Sequence, residues 1–134
     1  MLASQLLSRR DALKAAAAAS AALLLPRAAS ATATHPDPRP GITGEHVLSD
    51  PNFRKKVAEV YDMAREIPEV FDGLHCYCEC HTARWGHRSL LSCFESNQPD
   101  GCHGCQEEAR LAYRLHKDGK SLEEVRAAVD KEFK

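Results

Sequence analysis

The chain is poor in most of what marks an enzyme, a membrane protein or a nucleic-acid binder. Its one extended apolar run, Ala15–Leu25, is too short to span a bilayer, which takes about 20 residues. Charges nearly cancel, with a net charge of −1 over 134 residues, so nothing draws it to nucleic acid or an anionic membrane surface. There is no glycine-rich phosphate loop, no nucleophile elbow and no HExxH, and no enzymatic activity is expected. No segment alternates apolar and polar residues with period two, so no strand is expected. Aromatics make up only 6%, a thin core for a small domain, which then needs a staple besides apolar burial. Cysteine is missing from most of the chain as well: all six lie between Cys76 and Cys105.

The N-terminus reads as an export signal. Ser8-Arg9-Arg10-Asp11-Ala12-Leu13-Lys14 has the form of a twin-arginine signature, followed by the apolar run and by Ala29-Ser30-Ala31, an A-x-A cleavage site. Residues 1–31 are expected to be removed, placing the remainder in the periplasm or another extracytoplasmic space, where disulfides are permitted. The twin-arginine route carries folded passengers, often with a cofactor already inserted, which favours a bound metal. No cysteine follows the apolar run, so no lipid anchor is expected, nor is an integral membrane protein.

Residues 32–48 contain alternating prolines (THPDPRPG) and read as a solvated linker, with His35 and His46 as surface histidines. From residue 49 the pattern is helical. Ser49-Asp50-Pro51 reads as a helix start, and Phe53, Val57, Val60, Tyr61 and Ala64 form one apolar stripe before Ile67-Pro68 ends it. A short helix is predicted near His87–Glu95, a turn at Asn97–Gly101, and a longer helix over Cys102–Lys117 closed by Asp118-Gly119. Ser121-Leu122-Glu123-Glu124 is a capping box opening the last helix. The fold class is therefore all-α: a small three- to four-helix domain, residues 49–134, around a central Cys/His-rich loop.

That loop carries the chemistry. Cys76, Cys78 and Cys80 alternate with Tyr77 and Glu79; as an extended strand this would hold Cys76 and Cys80 roughly 13 Å apart, beyond the reach of one ion. The segment must curl if its thiols share a site. Cys102-His-Gly-Cys105 opens a helix, where residues i and i+3 share a face and the helix dipole favours thiolate. His103 points away and Trp85 and Tyr77 read as packing over the cluster, while Glu107 and Glu108 read as first-turn residues that stabilise the helix terminus. One tetrahedral ion takes four ligands, and six thiols with His75, His81 and His87 exceed that number. The surplus fits a polynuclear thiolate site, one metal site with a disulfide, or three disulfides without metal. A methionine-rich copper carrier is not expected, since Met63 is the only methionine beyond residue 31.

His75-Cys-Tyr-Cys-Glu-Cys80, Gly86-His87, Cys93-Phe94 and Cys102-x-x-Cys105 with a helical tail resemble a family of exported bacterial proteins, many of them lipoproteins, named for a PCYCGC motif. The resemblance covers about Asp50–Lys134 and matches the family pattern at Cys76, Cys78, Cys80, His87, Cys93, Cys102 and Cys105. It implies metal binding and carries no established activity. His75 stands where the family has proline, and Glu79 where it has glycine, which would take a positive φ without strain.

The expectation is thus an exported protein that binds, buffers or transfers a soft transition metal. Cys76, Cys78, Cys80, Cys93, Cys102 and Cys105 would be thiolate ligands and His87 the nitrogen ligand. Copper(I) or zinc is favoured, with iron–sulfur as a further option, and an envelope metal-handling protein is the expected partner rather than nucleic acid. Two other readings stand beside it: a disulfide-stapled interaction domain, and a thiol–disulfide oxidoreductase using Cys102 and Cys105.

Overall fold

In the computed structural model, residues 35–79 and 84–134 are described below. The expected export signal, Cys80 and His81 lie outside them. Thr32–Lys134 forms one compact unit. Among the described residues there are six helices and no strand: α1 Lys55–Glu66, α2 Pro68–Asp72, α3 Leu90–Phe94, α4 Gln98–Gly101, α5 His103–Lys117 and α6 Leu122–Phe133. None is long and apolar enough to cross a membrane.

The three long helices follow the sequence stripes. Val57, Val60, Tyr61 and Ala64 of α1 are buried, as are Ala109 and Ala112 of α5 and Val125 and Val129 of α6. Helix α5 lies between the other two and packs on both. The short helix α3 buries Leu90, Leu91, Cys93 and Phe94 beneath α1, where Phe94 meets Tyr61 edge-on at 5.1 Å. The Tyr61 hydroxyl donates to the Ser96 carbonyl at 2.8 Å, so the polar end of this buried ring is satisfied. At the start of α6, Ser121 and Glu124 form the reciprocal capping box. Gly119, at φ +81°, lets the chain leave α5 while Lys120 N–H reaches back to the Leu115 carbonyl.

Three local expectations change. Helix α1 starts at Lys55 rather than at Ser49–Pro51, because the Asp50 carboxylate accepts from Asn52 N–H at 2.8 Å and closes a turn of its own. Asn97–Gly101 winds into the single helical turn α4, with proline in its first turn. The largest change is in the segment read as a linker. From His35 on it is a strap laid over the domain: Arg39 grips the buried Asp72 carboxylate, Arg126 donates to the Pro36 carbonyl at 2.7 Å, and Arg88 donates to the Asp37 carbonyl. Proline suppresses helix here, and an extended chain turns its carbonyls outward to those arginines.

Candidate metal centre

Three separate segments deliver sulfur to one place. Cys76 and Cys78 come from the turn after α2, Cys93 from α3 and Cys105 from the first turn of α5. Their four Sγ atoms all lie within 4.8 Å of one another. Cys76 and Cys78 are 3.1 Å apart, Cys78 and Cys105 3.1 Å, and Cys76 and Cys105 3.5 Å. A tetrahedron of 2.3 Å zinc–sulfur bonds spaces its sulfurs by about 3.8 Å, so one ion is accommodated with small side-chain movements. Cys76, Cys93 and Cys105 are buried, and half-buried Cys78 forms the open side.

The curl demanded by the CxC spacing is present, and Glu79 completes it at φ +65°. A side chain in that region costs roughly 1–2 kcal/mol. Glu79→Gly, which restores the family residue, should therefore raise stability by up to about 1 kcal/mol after the entropy of glycine is subtracted, read as a higher urea midpoint.

Other expected ligands stand around the quartet. His87 Nδ1 lies 3.3 Å from Cys93 Sγ, placing the imidazole against one corner. Cys102 is the N-cap of α5, its sulfur accepting Cys105 N–H at 3.4 Å, and it lies outside the quartet. Cys76, Cys93, Cys102 and Cys105 are reduced, whereas Cys78 is disulfide-bonded. A full set of four thiolates is therefore a property of the reduced protein.

Electrostatics favour a cation here. Hydrogen bonds from Cys105 and Cys93 hold the Cys76 thiol down to about 3 against the effect of burial. Cys105 is pushed up, first by its bond to Cys76 and then by Cys93 and burial. Cys93 is also raised overall, Cys76 and burial outweighing its bond to Cys105. As thiols, the group thus keeps its negative charge on Cys76; the helix-dipole expectation of a Cys105 thiolate yields to that sharing. No lysine or arginine is among the strongest influences on these three sulfurs.

Glu108, read from sequence as a first-turn residue that stabilises the helix terminus, is 1% exposed. Burial first, and then the Cys76 charge, push its carboxyl up to about 9. One oxygen accepts Tyr77 N–H at 3.1 Å and the other has no hydrogen-bond partner among the described residues. The signal was legible in principle, since Glu108 sits three residues after Cys105 on the same helix face. His35, expected at the surface, has a wholly buried side chain bonded to Asp130. Tyr77 is half-buried with its ring edge-on to His75 and its hydroxyl bonded to Asp130, while Trp85 stands half-exposed with Arg84 over its ring at 5.2 Å. His103 is exposed, as expected.

The fold and the site together define a small all-helical domain built around a buried cysteine cluster. A family model described as "Protein of unknown function with PCYCGC motif" matches residues 46–134, and the chain belongs to that family. No curated protein and no solved structure matches it.

Proposed function

We propose that this domain binds a thiophilic transition metal ion, Zn²⁺ or Cu⁺, through Cys76, Cys78, Cys93 and Cys105, and buffers it or hands it on outside the cytoplasm. The observation that carries the reading is the convergence of four sulfurs, three of them buried, from three chain segments. Soft sulfur donors select such ions, and a cation would neutralise the charge that Cys76 otherwise concentrates. His87 and Cys102 border the quartet and are available when an ion moves to or from a partner. The export signature supports the location, and the absence of a catalytic motif supports a binding role.

A second reading rests on the Cys78 disulfide: a stapled interaction domain in which the cluster serves stability alone. One experiment separates the two. The protein is reduced under anaerobic conditions and titrated with Zn²⁺ against a chromophoric chelator, with thiols counted on the same sample. Metal binding predicts uptake of about one Zn²⁺ per chain with proton release, lost on oxidation. A protein that takes up no Zn²⁺ in its reduced state, and that gains two thiols for each disulfide reduced, is a stapled domain.

A further inference from the structure

A Cys-x-Cys pair does not present both sulfurs to one ion unless its backbone is held in a curl. Here the hold comes from outside the cysteine loop. On one side of Cys76, the His75 backbone N–H donates to His35 Nδ1 at 3.0 Å. On the other, Tyr77 is fixed twice: its N–H donates to Glu108 at 3.1 Å, and its hydroxyl donates to Asp130 Oδ1.

His35 and Tyr77 therefore converge on one carboxylate. His35 Nε2 lies 2.9 Å from the same Asp130 oxygen, across 95 residues of sequence. With Nε2 facing a carboxylate and Nδ1 facing a backbone donor, the partners assign the ring proton to Nε2 and leave Nδ1 as acceptor. The His35 side chain is wholly buried, and Asp130 is 14% exposed, so water does not compete freely for these bonds. Arg126, one turn earlier on α6, anchors the strap beside them through the Pro36 carbonyl.

We propose that His35, oriented by Asp130, is a positioning residue of the metal site: with Tyr77 it holds the Cys76–Cys78 curl in the shape that offers both sulfurs to one ion. The inference rests on the metal-binding reading above. It also extends the working domain of this chain ahead of residue 46, where the family match begins, to include the strap. Groups that orient ligands without touching the metal typically change its affinity by about 10–100-fold.

The test compares Zn²⁺ affinity, by chelator competition, and the thiolate-to-metal charge-transfer band of the Co²⁺-loaded full chain across four variants. His35→Ala is expected to lower Zn²⁺ affinity by about 10–100-fold and weaken the Co²⁺ band. His35→Asn keeps an acceptor at the Nδ1 position and should recover much of both. Arg39→Ala loosens the strap at its other anchor, so it should lower thermal stability while leaving Zn²⁺ affinity near wild type. Should His35→Ala fail to fold, Tyr77→Phe removes only the hydroxyl bond to Asp130 and should show the same weakening in smaller measure. Wild-type affinity in His35→Ala, or in Tyr77→Phe where that variant stands in, overturns the inference. So does a loss in Arg39→Ala as large as that in His35→Ala, because general docking of the strap then explains it. A wild-type protein that binds neither Zn²⁺ nor Co²⁺ overturns the metal reading itself and this inference with it.

Discussion

Cys105→Ser is expected to lower Zn²⁺ affinity of the reduced protein by about 10²-fold or more. Structural zinc sites of small domains bind with about 10–16 kcal/mol, so one of four ligands carries roughly 3 kcal/mol, and 1.4 kcal/mol is a factor of ten. Cys105 is the instructive position because it is wholly buried and lies 3.1 and 3.5 Å from Cys78 and Cys76. It is also held on the first turn of a 15-residue helix, which fixes where its sulfur lies. Serine keeps the size and loses the soft donor, which separates a ligand effect from a packing effect. Cys102→Ser supplies the contrast. That residue caps α5, serine is itself a favoured cap, and affinity should change little. Competition with a chromophoric chelator reads both variants. Equal affinities for wild type and Cys105→Ser would remove the quartet from consideration.

Asp72→Ala is expected to cost about 3 kcal/mol of folding stability, because it leaves two arginines and a buried serine without their shared acceptor. The carboxylate is fully buried and accepts from the Arg39 backbone N–H at 2.7 Å, the Arg39 guanidinium at 2.9 Å and the Ser89 hydroxyl at 2.9 Å. Arg88 completes the shell at 2.9 Å. This one group joins the strap, the turn leading to Cys76, and Ser89, which caps the helix that carries Cys93. For a domain of about 100 residues the loss corresponds to a fall in Tm of roughly 15 °C. Burial alone would raise the Asp72 carboxyl, but the bonds from Arg39 and Ser89 and the charge of Arg88 outweigh it and hold the group below 3.8. The folded value lies below the unfolded one, so this contribution is fully present above about pH 4 and is lost as pH falls through the folded value. Thermal melts from pH 7 to pH 2 should show wild-type stability converging on that of Asp72→Ala at the acid end. Parallel curves over the whole range would deny the ion pair its role.

Much of the fold was legible because helical periodicity and caps are local. The stripes of Val57, Val60, Tyr61 and Ala64, and of Val125 and Val129, name their buried faces at spacings that depend only on 3.6 residues per turn. The capping box at Ser121 needs no tertiary partner, and it is present. The misplaced start of α1 was also local, but two local solutions competed, and the Asx turn at Asp50 took the donor that a cap would have used. The strap was illegible for the opposite reason. Nothing within residues 35–44 indicates Arg88, Arg126, Asp72 or Asp130, which are distant in sequence and reach it only once the helices have packed.

Sequence by itself determined that this is an all-helical domain with six thiols within thirty residues, since residue type and spacing set what those groups can do. It left the sharing of those thiols open, because a CxCxC run, a lone Cys93 and a CxxC are compatible with several arrangements. Among the described residues, only the tertiary structure brought Cys76, Cys78, Cys93 and Cys105 together as a quartet and made Cys102 a helix cap. The reason is geometric. Which sulfurs meet depends on how α3 and α5 cross behind the curl, and on His35, Tyr77 and Asp130 holding that curl in place, contacts that span up to 95 residues and have no trace in any short window of sequence.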